Sequence, residues 1–224
     1  MKRVVLIPAY NPIDLLINIV NDLGNKVDVI VVNDGSDREY DNTFKSIEKK
    51  CTLLTHHYNC GKGNAIKTGL KYIKDNYKES LIVTVDADGQ HSVDDVIKIF
   101  DYLEKNKDCF VLGKRSLDKK IPIRSKIGNS ITRRVFYKKT HVKIYDTQTG
   151  LRGFSSKMID KLLSITGSRY EYEMNVLLVL TSENVNIVEI PINTIYIDNN
   201  SSSHFNTFKD SYRIYKDIIK FKAK

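Results

Sequence analysis

Asp86, Asp88 and Gln90 stand at alternate positions just after an apolar, β-branched run over residues 81–85, within SLIVTVDADGQH. Side chains at alternate positions of an extended chain point to the same side. Three hard oxygen donors can therefore converge beyond the carboxyl end of a buried strand, where open α/β sheets bind their ligands. Such donors suit Mg²⁺ or Mn²⁺, and either ion also takes oxygens from a diphosphate. An Asp-rich turn capping the next helix is the competing reading, and Ser92 with Asp95 forms such a cap. Capping accounts for Ser92 but leaves Asp86 and Asp88 unexplained, so the metal site is preferred.

Asn59-Cys60-Gly61-Lys62-Gly63 is a second candidate for ligand chemistry. It is neither of the familiar phosphate loops. A dinucleotide fingerprint needs a third glycine where Ile66 stands, and no G-x-x-x-x-G-K-[ST] run occurs. Gly61 and Gly63 still permit close backbone approach, with Lys62 as a cation and a helix N-terminus behind them. The histidines add little. His56 and His57 end a strand without a partner at metal-ligand spacing, while His91 and His204 suit structural roles as well as ligand contact.

The elements that must position these residues follow from apolar periodicity. Strands are expected over 4–7, 27–32, 51–56, 81–85 and 110–112, and helices over 13–23, 63–77 and 92–105. Gly24 is placed as the C′ residue of the first helix, and Ser36 with Glu39 as a capping box. Further on, helices are expected over 125–137, 158–165 and 171–180, and strands over 185–188 and 194–197 around Pro191. Residues 146–154 are polar and turn-rich, with too little periodicity for a core element. Phe205, Phe208, Tyr212, Tyr215 and Ile219 are spaced as an amphipathic helix whose other face is basic. That helix suits packing on the domain and lying on a membrane equally well.

Alternating strands and helices argue for an α/β fold, a Rossmann-like, mostly parallel sheet with helices on both faces. PAYN, NDGS, DADGQH and GKRS then fall at the carboxyl ends of successive strands. That recurrence is what a nucleotide-binding domain needs.

The chain has 224 residues, enough for one large domain with a sizeable core. Three unpatterned cysteines suit a reducing compartment, and neither a signal peptide nor an apolar run of spanning length is evident. A cytoplasmic location is expected. Of the net charge of +9, residues 114–143 carry eleven Lys and Arg against Asp118 alone. Such a block suits nucleic acid, an anionic membrane or a phosphorylated substrate, or is simply a solvated face.

IPAYN, VVNDGS, NCGKGNAIKTGL, TVDADGQH, DTQTGLRGF and RYEYEMNVLL occur here in the order found in family 2 glycosyltransferases of the GT-A fold. The chain resembles the polyprenyl-phosphate subgroup, which includes dolichyl-phosphate mannosyltransferase. The resemblance covers essentially the whole chain. It implies that Pro8, Ala9, Tyr10 and Asp34 hold the base and ribose of a nucleotide sugar. Asn11, Gly61, Lys62 and Ala87 belong to the same donor site. Asp86, Asp88 and Gln90 would hold Mg²⁺ or Mn²⁺ on the diphosphate. Arg115, Arg124 and Arg133 would meet an acceptor phosphate. Pro12 departs from the pattern, because many relatives carry Glu there.

A hydroxyl acceptor needs a carboxylate base, for which Asp146, Glu171 and Glu173 are candidates. A lipid phosphate is already an anion, so arginines that position it matter more. Asp88, Arg115, Arg124, Asp146 and Glu173 are thus the expected catalytic residues. The expected reaction is inverting transfer of a hexose from a UDP- or GDP-sugar to a polyprenyl phosphate, such as undecaprenyl phosphate, for a bacterial cell envelope. Transfer to a glycan or teichoic-acid hydroxyl is the alternative, and a nucleotidyltransferase shares the fold and metal site. A nucleic-acid binder is disfavoured, since no such motif occurs and the DAD carboxylates would repel phosphate. Residues 1–204 are expected to form the catalytic domain and 205–224 the basic helix. Peripheral contact with the inner face of the plasma membrane, or with a separate multi-helix membrane subunit, is expected.

Overall fold

In the computed structural model residues 1–115, 123–193 and 207–222 are described, with side chains omitted at 123–128, 207 and 208. Among them the strands β1 (Lys2–Ala9), β2 (Asp28–Asn33), β3 (Thr52–Thr55), β4 (Ser80–Thr84), β5 (Cys109–Arg115), β6 (Arg152–Ser155) and β7 (Asn186–Ile192) form one sheet, ordered β3-β2-β1-β4-β6-β5-β7. All pairings are parallel except those of β6, which runs antiparallel between β4 and β5. The expected mostly parallel α/β sheet is therefore present.

Helices cover both faces. On one side α1 (Leu15–Gly24), α2 (Asp41–Ile47) and α4 (Val93–Lys105) pack on Val5, Ile7, Val31 and Val83. On the other, α3 (Lys62–Asn76), α6 (Ile159–Ser164), α7 (Glu171–Ser182) and α8 (Thr207–Lys220) pack on Val4, Leu6, Ile82 and Phe154. Alternate residues of β1 thus serve opposite cores, which is why its sequence is continuously apolar. Helix α5 (Ile123–Thr140) contributes Phe136 to the second core.

Four local expectations are corrected. Ser36 caps no helix: its Oγ accepts from the Asn11 amide at 2.9 Å, and Asn11 also bonds Asp37, so the β1 and β2 loops are tied together. Gly24 is the last residue of α1 rather than a left-handed C′. The polar run 146–154 leads into β6, whose four residues are all buried. Its short polar sequence gave no period because Arg152 is held by the backbone oxygens of Thr149 and Glu173. Pro191 lies inside β7 rather than between strands, which an edge strand paired on one side tolerates. The strand expected over 194–197 and His204 fall outside the described residues.

Candidate active site

Because β1, β2 and β4 are adjacent and parallel, their carboxyl ends open on one edge of the sheet. Pro8, Ala9, Tyr10, Asn11, Asp34, Gly61, Lys62, Asp86, Ala87 and Asp88 all line a single cleft there. These are all ten residues expected from sequence to hold the donor. Pro12, Ile13, Asn59, Ala65, Arg169 and Tyr170 line it as well, and sequence reading did not assign them to it. Arg169 and Tyr170 belong to RYEYEMN, whose position only packing reveals: the Asn64 amide donates to Ser168 O at 3.0 Å, holding that loop against the start of α3.

Asp34 is 2 % exposed, and its carboxylate accepts from the amides of Cys60 and Gly61 at 2.9 and 2.8 Å. His56 Nδ1 lies 2.7 Å from Asp34 Oδ1, and its Nε2 lies 2.9 Å from Thr68 Oγ1. Asp34 therefore fastens the Asn59–Gly61 loop under the cleft. Asp34, His56 and Cys60 are the single trio of His, Cys, Asp or Glu side chains with metal-like proximity among the described residues. Both imidazole nitrogens already have partners, so the trio reads as this fastening. Gly61 takes φ +97°, and a Cβ there would lie 2.5 Å from Ser168 O, so only glycine lets the loop turn into α3.

Lys62 Nζ sits 2.7 Å from Asp86 Oδ1 and 2.8 Å from Glu173 Oε2. Burial alone would lower the Lys62 pKa, but the two carboxylates reverse this and hold the ammonium charged. Burial pushes Asp86 up; Lys62 and His91, whose Nε2 is 3.8 Å away, outweigh it and hold the carboxyl well below its ordinary range. Asp88 behaves oppositely. Burial, and then the charge of Asp86, raise its pKa. Gly150 abuts Asp86, since a Cβ on it would lie 2.1 Å from Asp86 Oδ2. Tyr170, with Lys62 Nζ 5.8 Å from its ring, is pushed up to about 12 by burial and stays a phenol.

The expectation that Asp86, Asp88 and Gln90 converge along an extended chain is corrected. β4 ends at Thr84, and the chain turns at Gly89, with φ +77°. Asp88 Oδ1 accepts from the Gln90 amide at 3.0 Å, and Gln90 is buried outside the cleft lining. Asp86 and Asp88 are still close enough for one charge to raise the other's pKa. An all-oxygen pair in mutual repulsion, facing a cleft, fits a divalent cation, which would relieve that repulsion.

Of the remaining predicted residues, Arg115 is the last residue of β5, whereas Glu171 and Glu173 lie at the start of α7 beside the cleft. Arg115 makes a two-pronged pair with buried Asp146, Nε to Oδ2 at 2.7 Å and Nη2 to Oδ1 at 2.9 Å. Glu173 faces Lys62 and lies 3.7 Å from Arg152 Nε. Glu171 Oε1 accepts from the amides of Ser168 and Arg169 at the start of α7. Arg133, Lys114 and Lys143 gather over the Tyr145 ring, the lysines at 4.3 and 4.9 Å and the arginine at 5.9 Å. Arg124 is on α5, and its side chain lies outside the described residues.

Residues 4–163 match the family model described as glycosyl transferase family 2. The chain belongs to this family. It is 32 % identical, over 93 % of both chains, to a UDP-N-acetylglucosamine–dolichyl-phosphate N-acetylglucosaminyltransferase of Methanococcus voltae. It is 23 % identical, over 96 % of this chain and 72 % of the relative, to a dolichyl-phosphate β-glucosyltransferase of Saccharomyces cerevisiae. Among solved structures, mannosyl-3-phosphoglycerate synthase from Rubrobacter xylanophilus superposes with a TM-score of 0.69 at 15 % identity, covering 97 % of this chain and 73 % of the other. The fold of this family 2 enzyme is GT-A, and the enzyme is a glycosyltransferase.

Proposed function

We propose that this family 2 glycosyltransferase moves a hexose, with inversion, from a nucleotide sugar in the β1–β2–β4 cleft to a polyprenyl phosphate at a membrane surface. One observation carries the choice of acceptor. Asp146 is bound by Arg115, and Glu173 by Lys62, so two of the three candidate bases are held in ion pairs. The third, Glu171, is bound to backbone amides. A hydroxyl acceptor would need one of them to take its proton, whereas a phosphate acceptor arrives as an anion and needs none. The dolichyl-phosphate named in both relatives above supports the same reading.

In this reading Pro8, Ala9 and Tyr10 hold the nucleoside, and Asp34 keeps the Asn59–Gly61 loop in place beneath it. Asp86 and Asp88 would hold Mg²⁺ or Mn²⁺, which when bound neutralises charge on the departing diphosphate. Lys62 keeps Asp86 ionised and presents a fixed cation beside the same diphosphate. Arg115, Arg124 and Arg133 orient the acceptor phosphate, with Arg115 held in place by Asp146. Among the described residues no helix is long and apolar enough to cross a membrane.

Isothermal titration with nucleoside diphosphates, with and without Mn²⁺, tests the donor half on wild type and Asp88→Ala; a uridine diphosphate is the first choice. Metal-dependent binding lost in the variant is expected, and metal-independent binding would overturn it. Sugar transfer to polyprenyl phosphate in detergent, and not to a glycan hydroxyl, tests the acceptor half.

A further inference from the structure

The C-terminal helix α8 buries Ile214 and Ile218 against the domain and contacts α5, with Thr132 Oγ1 3.1 Å from Tyr215 OH. At the other end Lys139 Nζ donates to Ile219 O at 3.1 Å. The outward sides of the two helices share one composition. On α8 Tyr212, Arg213, Lys216, Ile219 and Lys220 are exposed at helical spacing, and on α5 Ile131, Arg134, Tyr137 and Lys138 are.

Two features set this face apart. Of nine large apolar side chains that are exposed among the described residues, six lie in these helices or the segment just after α5, Ile219 being 69 % and Tyr212 68 % exposed. Residues 129–146 and 209–222 hold ten Lys and Arg against three Asp. Each of those aspartates has a partner: Asp146 binds Arg115, Asp210 lies 3.7 Å from Arg213, and Asp217 Oδ2 accepts from Asn175 at 3.0 Å. Asp146 and Asp210 are buried and Asp217 is half-buried, so no carboxylate stands among the exposed residues of the two stripes. Interleaved exposed Ile and Tyr with Lys and Arg match the two terms of binding at an anionic bilayer, apolar insertion and attraction to headgroups.

We infer that α5 and α8 together form a docking face for an anionic phospholipid bilayer, seating the enzyme where its lipid substrate lies. This rests on the proposed lipid-phosphate acceptor, and it assigns the membrane contact to a two-helix face rather than to the C-terminal helix alone. Charge complementarity selects the bilayer over a second copy of this chain, whose matching face would be equally basic.

Co-sedimentation with protein-free vesicles tests it. The wild-type chain is expected to partition onto equimolar phosphatidylglycerol–phosphatidylcholine vesicles and not onto phosphatidylcholine alone, with binding falling as salt rises. Arg134→Glu/Lys138→Glu on α5 and Lys216→Glu/Lys220→Glu on α8 should each weaken partition by about tenfold or more. Ile131→Ser/Ile219→Ser should weaken it while preserving the salt dependence. Unchanged partition in the α5 pair would confine docking to α8 and overturn the two-helix face. No binding to anionic vesicles would overturn it as well and point to a protein partner. Transfer to a detergent-solubilised acceptor should survive all three variants with unchanged thermal unfolding. Loss of vesicle binding by the wild type with that transfer intact would sink the docking face and spare the proposed function.

Discussion

Lys62 Nζ lies 2.7 Å from Asp86 Oδ1, so the carboxylate that heads the DAD run is already neutralised by a cation of the chain itself. Glu173 completes the arrangement from α7, 2.8 Å from the same ammonium. The ion pair joins the start of α3 to the end of β4 and to α7, across the floor of the cleft.

Lys62→Met removes that cation and leaves two shielded carboxylates facing each other. A loss of about 2–3 kcal/mol in urea unfolding is expected, at the low side for a broken buried pair because the site opens to solvent. Adding Glu173→Gln should restore about 1 kcal/mol. An Lys62→Met protein as stable as wild type would show that the pair is energetically idle.

Asp88→Asn separates function from stability. Its carboxyl is raised by burial and by Asp86, so removing the charge relieves repulsion. Unfolding should be unchanged, or stabilised by about 0.5 kcal/mol, while metal-dependent diphosphate affinity falls about tenfold or more. A parallel loss of both would mark Asp88 as structural.

Gly150→Ala forces Asp86 to move, since the new Cβ would lie 2.1 Å from its Oδ2. Turnover is expected to fall about a hundredfold, the scale of an ångström-sized displacement of a reacting group. Gly24→Ala is the control, because the nearest atom to its Cβ is Lys50 O at 3.6 Å and it ends a helix. Steady-state kinetics on the two variants decide the matter.

Glu171 gives a pH signature. Burial would raise its carboxyl, but the amides of Ser168, Arg169 and Glu171 itself lower it below the ordinary range. A group whose folded pKa is depressed stabilises above its unfolded value, about 4.3, and that stability is lost as pH falls through the folded value. Glu171→Gln should therefore cost about 1 kcal/mol at pH near 7, with the difference from wild type vanishing in acid. Denaturant unfolding from neutral to acid pH checks it; a constant difference would exclude the carboxylate as its source.

Much of this enzyme was legible in one dimension. Continuous apolar runs such as VVLI in β1 and VIVV in β2 identify strands buried on both faces, and parallel strands place all their carboxyl-end loops on one edge. Topology alone then gathers PAYN, Asp34, Gly61-Lys62 and the DAD run into one cleft. Less legible were elements whose residues satisfy one another rather than a period. Arg152 enters the sheet because backbone oxygens receive its guanidinium, and the chain turns at Gly89 where strict alternation was expected to continue.

Sequence by itself determined that the loops after β1, β2 and β4 and the start of α3 reach the cleft, because that depends on local periodicity and on the handed geometry of strand–helix–strand units, whereas packing alone brought Arg169 and Tyr170 there. Tertiary structure decided which charge each of them meets. Lys62 chooses Asp86 and Glu173, Arg115 chooses Asp146, and Gly150 is needed because β6 inserts beside β4. Those partners come from distant parts of the chain, and electrostatic pairing depends on distance and burial, neither of which any local pattern encodes.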